Sequence, residues 1–109
     1  MKKIWKDKWV KALRSGEYAQ GRNFLCKEGK EYDRFCCLGV LCDIVGPGKW
    51  KYSDKGIGKF EYQEPDVELP PRRVLGKVGL SPDCADHLAT MNDDGKKFST
   101  IANYIEENL

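Results

Sequence analysis

The sequence predicts an α+β fold, a single compact domain with about five short helices around a central apolar helix and one or two short antiparallel β-hairpins. Residues 35–45 form the longest apolar run, and Asp43 is its only polar side chain. Residues 98–109 place their apolar side chains at helical spacing. Residues 18–36 instead show two short apolar segments around a Gly-containing turn. With 109 residues, the chain is expected to form one domain spanning 1–109 with one modest core.

The central helix is predicted over residues 35–45, beginning at about Cys36 or Cys37 and ending at the Gly-Pro-Gly of 46–48. It is apolar on nearly every side, so the other elements must enclose it. Gly39 and Asp43, four residues apart, leave a notch on its surface. We expect a neighbouring backbone or an arginine, Arg14 or Arg22, to approach there.

The flanking segments follow the same periodicity rules. Residues 3–14 form an amphipathic helix, which Ser15 and Gly16 end. Residues 18–36 are predicted to form a hairpin turning near Gly29, and 49–68 a second one that leads into an acidic connector at 64–68. Three helices complete the chain, at 70–77, 81–91 and 98–109, and Asp93 or Asp94 is expected to cap the last of them.

Composition narrows the function classes. The net charge is +2, but residues 1–30 hold nine Lys or Arg against three Asp or Glu, so an anionic partner would be attracted there. Neither a membrane-length apolar run nor a signal-peptide pattern occurs in the sequence, which predicts a cytoplasmic protein. The five cysteines are expected to be reduced and to act as small buried hydrophobes.

Catalytic and metal chemistry are weakly supported. Cys84 and His87 have the spacing of zinc ligands, but Cys37 and Cys42 lie 140° apart on a helix and would not complete the site. His87 has no cysteine in a recognisable catalytic context. We therefore predict no enzyme, no cofactor and no metal site.

A helix-turn-helix within residues 89–105 is a further alternative, because two helices there flank a Gly-containing turn. The second helix has no Lys or Arg after Lys97, so it lacks the positive charge that nucleic-acid binding requires. Nucleic acid is therefore an unlikely partner.

A pocket for a small anionic ligand is the favoured site. The predicted ligand-binding residues are Arg14, Tyr18, Gln20, Arg22, Asn92 and Asp93. Arginine binds phosphate bidentately, and a phenol ring can pack against a base. Asn92 and Asp93 would form a second polar wall. The alternative is that these side chains only complete turns and cap helices.

Several segments of the chain resemble a family of small uncharacterised proteins of tailed bacteriophages. The resemblance lies in WVKALRSGEYAQG at 9–21, FCCLGVLCD at 35–43, LPP at 69–71, MNDDG at 91–95 and FSTIA at 98–102. It implies a phage accessory protein in the bacterial cytoplasm. Such proteins often counter host defences, some as sponges that sequester nucleotide signals such as cyclic ADP-ribose or cyclic dinucleotides.

From the pocket and this resemblance we expect a nucleotide-type ligand to be bound and kept from a host defence pathway. Sponges of this kind commonly work as homo-oligomers, and we expect one here. The main alternative is an inhibitor that binds a host protein directly, through the basic first helix or the aromatic segment 49–62. The third is a helix-turn-helix-like nucleic-acid binder.

Overall fold

The structure of the protein, a computed structural model, describes residues 1–60 and 68–109. The described residues form five helices and five strands, so the α+β class is confirmed. In chain order they are α1 (Lys3–Arg14), β1 (Ala19–Gln20), β2 (Cys26–Lys27), β3 (Arg34–Phe35), α2 (Cys37–Val45), β4 (Trp50–Tyr52), β5 (Ile57–Phe60), α3 (Arg72–Val78), α4 (Pro82–Asp93) and α5 (Phe98–Asn108). Most of the acidic connector predicted at 64–68 lies outside the described residues.

The strands form one small mixed sheet with the order β1-β3-β2-β5-β4. Both predicted hairpins are confirmed, because β2 pairs antiparallel with β3, and β4 with β5. The two hairpins also join through an antiparallel pairing that places Cys26 opposite Gly58, and β1 adds a parallel edge beside β3. Sequence patterns had predicted the hairpins separately and not the sheet that unites them.

Helix α2 is the buried centre of the domain, as predicted, but it is shorter than residues 35–45. Phe35 belongs to strand β3, where it pairs with Cys26. Cys36 is extended (φ −79°, ψ 172°) and is the N-cap residue, its Sγ accepting a hydrogen bond from the Gly39 amide at 3.4 Å. The helix therefore begins at Cys37, which confirms the predicted start at Cys36 or Cys37, and its first six residues are all buried.

The notch on α2 is filled by backbone and by two aromatic side chains. A Cβ on Gly39 would overlap the carbonyl oxygen of Leu25, so the predicted close approach of a neighbouring backbone is confirmed. Asp43 accepts hydrogen bonds from the Tyr18 hydroxyl (2.7 Å) and from Trp50 Nε1 (3.0 Å). The expected arginine partner is therefore wrong, because aromatic side chains at the sheet occupy this side of α2.

Helix α1 covers the other side of the core. Trp9 is fully buried, and its Nε1 donates to the Cys37 carbonyl at 2.8 Å, which fixes α1 on the first turn of α2. Val10 and Leu13 are buried with it in a core that includes Ile101 and Ile105 of α5. Lys8 and Lys11 are exposed on the side of α1 away from this core.

The remaining helices begin close to the predicted positions. Ser81, where this helix is predicted to begin, caps α4 by accepting a hydrogen bond from the Cys84 amide at 3.1 Å. Helix α5 buries Phe98, Ile101, Ala102 and Ile105, which confirms its apolar stripe. Within the described residues, the helices are too short or too polar to cross a bilayer.

Candidate functional site

Four of the six predicted ligand-binding residues lie where the loop after β1 meets the turn between α4 and α5. Gln20 is central, since its Nε2 donates to Asn92 Oδ1 (2.9 Å) and to the Lys96 carbonyl (2.8 Å). Asn92 is fully buried, donates to the Gly21 carbonyl at 2.7 Å and also accepts from the Cys37 amide at 3.1 Å. The Asn92 side-chain oxygen and nitrogen therefore each have a hydrogen-bond partner.

The region where Gln20 contacts Asn92 also caps helix α5. The Phe98 amide, at the start of α5, donates to Gln20 Oε1 at 3.1 Å, whereas Lys97 at the N-cap position makes no side-chain cap. Asp93 instead accepts from the Asn23 amide at 2.9 Å, and Asp94 is the C-cap residue of α4. The prediction that Asp93 or Asp94 caps α5 is therefore wrong, because a side chain 78 residues earlier does so.

The other two predicted residues in this region are Arg22, which is exposed, and Asp93, which is partly exposed. The Arg22 guanidinium lies against Gly95, with Nη2 3.0 Å from the position that a Cβ there would take. Asn23, beside it, has a positive φ of 71°, a conformation that asparagine adopts more readily than most residues. Hydrogen bonds to the Asp93 and Asn92 side chains thus hold the backbone of this loop, and the Arg22 side chain lies at its exposed edge.

Tyr18 and Arg14 lie elsewhere. The Tyr18 hydroxyl donates to Asp43, and burial together with this bond raises the pKa of Tyr18 well above its ordinary value. Arg14 reaches α5, where its Nη1 donates to Glu106 Oε2 (2.8 Å) and its Nη2 to Asn103 Oδ1 (2.7 Å). The six predicted residues are therefore not brought into one cavity.

The contact region formed by Gln20 and Asn92 acts as structural support. Its amide groups bind four backbone groups, at Gly21, Cys37, Lys96 and Phe98. Among the residues that the structure describes, every buried side-chain nitrogen or oxygen has a hydrogen-bond partner. The turn-and-cap alternative recognised in the sequence therefore describes Gln20 and Asn92 well, and a ligand site must be sought where charged groups face solvent.

The charged groups face solvent in a groove of about 540 Å³ between α1 and α5, which we call the α1–α5 groove. Its lining residues are Lys6, Asp7, Val10, Lys11, Arg14, Ser15 and Glu106. Of the six predicted residues it contains Arg14 alone. The predicted site did not include Lys6 and Lys11, although Asp7, Lys11 and Arg14 follow one another at i, i+4 and i+7.

The groove is amphipathic and mostly cationic. Val10, only 7% exposed, provides its apolar floor. Lys6, Lys11 and Arg14 contribute three positive charges from successive turns of α1, against the two carboxylates of Asp7 and Glu106. The Ser15 hydroxyl donates to the Ala12 carbonyl at 2.6 Å, so it lies at the groove as an oriented oxygen.

A second cavity, of about 260 Å³, lies between α4 and α5. Its lining residues are Asp83, Cys84, His87, Leu88, Tyr104 and Leu109, and the His87 and Tyr104 rings are tilted with centroids 5.3 Å apart. Cys84 is half-buried there. No hydrogen bond between its thiol and His87 occurs in the described structure, so the thiol lacks a positioned base.

The other four cysteines are buried, as predicted, and carry no reactive thiolate. Burial raises the pKa of the Cys36 thiol to about 12 and the pKa values of Cys37 and Cys42 above their ordinary range. Over residues 1–60 and 68–109, no three His, Cys, Asp or Glu side chains are grouped so that they could hold a metal ion.

Comparisons with known proteins were made for the whole chain. They yield neither a matching curated protein nor a matching solved structure. One family model does match, and it covers residues 1–109. The chain therefore belongs to the family described as Domain of unknown function (DUF8296).

Proposed function

We propose that the protein binds a small anionic ligand of the nucleotide class in the α1–α5 groove and keeps it from other proteins. The observation that carries this proposal is the groove itself, which combines about 540 Å³ with three cationic side chains. Binding sites for small molecules commonly have volumes of roughly 300–1,000 Å³. The resemblance to phage accessory proteins supports the ligand class, and on the same basis we propose that the ligand belongs to a host defence pathway.

The cations suit a phosphate group. Arg14 offers a planar guanidinium already oriented by Glu106 and Asn103, and a preorganised fork loses less conformational entropy on binding phosphate. The Arg14 and Glu106 side chains are 39% and 58% exposed, so their ion pair contributes at most about 1 kcal/mol. A phosphate can therefore displace Glu106 or share the guanidinium with it.

The remaining groups suit the rest of a nucleotide better than they suit inorganic phosphate. The Asp7 and Glu106 carboxylates can accept hydrogen bonds from ribose hydroxyls or from a base amino group. Val10 offers an apolar contact at the floor. A site for phosphate alone would gain nothing from these carboxylates.

The groove favours binding over cleavage. Its lining within the described residues contains no cysteine and no histidine, and Ser15 is engaged as both donor to Ala12 and acceptor from the Glu17 amide. A nucleophile needs an adjacent base to be activated. Sequestration therefore explains the arrangement more simply than hydrolysis does.

Thermal shift tests the proposal. Cyclic ADP-ribose, cyclic di-AMP and uncharged adenosine are each added to the wild type, to Arg14→Gln and to Lys30→Gln, an exposed lysine that does not line the groove. One of the two charged nucleotides should stabilise the wild type and Lys30→Gln, by about 2.7 kcal/mol at 100 times its dissociation constant. Arg14→Gln should weaken the binding about tenfold or more. If neither nucleotide raises the melting temperature, or Arg14→Gln responds like the wild type, the proposal is wrong.

A further inference from the structure

The outer face of α1, which we define by Ile4, Trp5 and Lys8, presents an apolar centre to solvent. Ile4 is 62% exposed, and Trp5 beside it packs against the core but stays partly exposed. Ile4 and Lys8 lie one turn apart, so they occupy the same stripe of the helix. This stripe faces away from Trp9 and Leu13, which anchor α1 to the core.

Positive charge surrounds this apolar centre. Lys8 Nζ lies 4.9 Å from the centroid of the Trp5 ring, and Lys77 Nζ of α3 lies 5.7 Å from it. Lys11 continues the same side of the helix one turn beyond Lys8. The nearby Lys3 is neutralised by Asp7 in an i, i+4 ion pair of 2.6 Å. The face therefore offers an aliphatic and aromatic centre within a ring of lysines.

An acidic protein segment matches this surface better than a nucleic acid does. Single-stranded nucleic acid is bound by stacking its bases on aromatic rings. The Trp5 ring is already engaged by Lys8 and Lys77, and Ile4 can neither stack on a base nor form a hydrogen bond. An apolar side chain flanked by carboxylates would instead cover Ile4 and meet the surrounding ammonium groups.

We propose that the outer face of α1 is a docking surface for an acidic amphipathic helix of a partner protein. In this binding mode an apolar stripe packs on Ile4 and the edge of Trp5, while flanking Glu or Asp side chains pair with Lys8 and Lys11. The docking surface adjoins the α1–α5 groove and shares Lys11 with it, whereas Ile4 and Lys8 do not line that groove. It does not depend on the proposed nucleotide binding.

Fluorescence anisotropy with synthetic probes tests this. The main probe is a labelled peptide of about four helical turns, with a leucine stripe flanked by glutamates. A scrambled peptide of the same composition, polyglutamate and oligothymidylate are the comparison probes. The wild type should bind the striped peptide about tenfold or more tighter than each comparison probe. Equal binding of polyglutamate would overturn the proposal, because charge alone would then explain the affinity, and preferential binding of oligothymidylate would indicate a nucleic-acid surface instead.

Two variants test whether the peptide binds at the outer face of α1. Ile4→Ser removes the apolar centre, and Lys8→Glu reverses one charge, while Lys30→Glu makes the same charge change far from the face. The first two should weaken the striped peptide about tenfold, and Lys30→Glu should leave its affinity within about twofold. Circular dichroism and melting curves check that each variant is folded. If folded Ile4→Ser and Lys8→Glu bind like the wild type, the proposal is wrong, whereas the nucleotide response of these variants reports on the groove alone.

Discussion

The side-chain amide of Gln20 donates to the side-chain oxygen of Asn92 across 2.9 Å, joining β1 to the last turn of α4. Asn92 in turn binds the backbone at Gly21 and at Cys37, and Gln20 caps Phe98. This pair therefore ties the sheet, the central helix and the last two helices to one another. Loss of this pair should therefore destabilise the whole domain.

Asn92→Ala should lower the free energy of unfolding by about 3 kcal/mol. The change leaves the Gly21 carbonyl and the Cys37 amide without their partner at a fully buried position. Urea unfolding measures the loss. Asn108→Ala, which removes an exposed amide at the end of α5, is the matched control and should change stability by less than about 0.5 kcal/mol. Similar losses for both variants would contradict the role of Asn92.

Gln20→Glu should not preserve the function of Gln20, although it keeps an acceptor for the Phe98 amide. The carboxylate would lose the donor that binds Asn92 Oδ1 and the Lys96 carbonyl, and it would face both oxygens. We expect a loss of about 1–2 kcal/mol at pH 7, relieved near pH 4, where protonation restores one donor. Urea midpoints of variant and wild type at both pH values measure this. A difference that does not depend on pH would argue against the donor role.

Gly39→Ala should destabilise the protein by about 2 kcal/mol or more. The added methyl group would overlap the Leu25 carbonyl, and both backbones must move apart to admit it. Gly76→Ala is the matched control, because Gly76 is an exposed glycine within α3 that has no atom within 4 Å of the new Cβ. That change should raise stability by about 0.5–1 kcal/mol. Thermal or urea unfolding shows whether each variant is less or more stable than the wild type. If Gly39→Ala were as stable as the wild type, the close approach of the Leu25 carbonyl to Gly39 would be contradicted.

Stability should fall on the alkaline side because of the buried thiols. Burial raises the pKa of Cys36 to about 12, from an ordinary value of 9.0, and raises those of Cys37 and Cys42. Between these pH values the unfolded chain binds fewer protons than the folded one. The stabilisation is therefore complete below about pH 9 and is lost as the pH rises towards 12.

Each such thiol should contribute a slope of about 1.4 kcal/mol per pH unit. Urea unfolding at several pH values from neutral upward measures it. Cys42→Ala lowers stability at neutral pH because it leaves a cavity, but its alkaline slope should be shallower than that of the wild type by about one proton. Equal slopes in the two proteins would show that Cys42 does not titrate as described.

Local patterns accounted for much of the fold. The stripe of Phe98, Ile101 and Ile105 fixed α5, and the Ser81 cap fixed the start of α4, because both signals lie within one or two helical turns. The sequence could not show that Cys26 lies opposite Gly58, since pairing between hairpins depends on three-dimensional packing. The predicted hairpin (18–36) and the predicted apolar run of the helix (35–45) overlap at Phe35, because an apolar side chain at a strand–helix junction fits either element.

The candidate site was less predictable for the same reason. Arg14 was identified from its chemistry, but its partners on α5 are Asn103 and Glu106, about 90 residues later in the chain. Gln20 and Asn92 have the side chains of a ligand site, yet they bind backbone groups brought near only by folding. The residue type shows that these side chains are polar. Whether such a side chain is open to a ligand or binds the protein itself depends on the tertiary structure.

The central claim, that the α1–α5 groove binds a small anionic nucleotide, is tested most directly by amide chemical-shift mapping. The labelled protein is titrated with cyclic ADP-ribose and, separately, with cyclic di-AMP. We predict that one of them shifts the amides of the groove, at Lys6, Val10, Lys11, Arg14 and Ser15, while those of Asp83 to Leu88 at the α4–α5 cavity stay in place. Shifts centred on that second cavity, or no shifts with either nucleotide, would contradict the account.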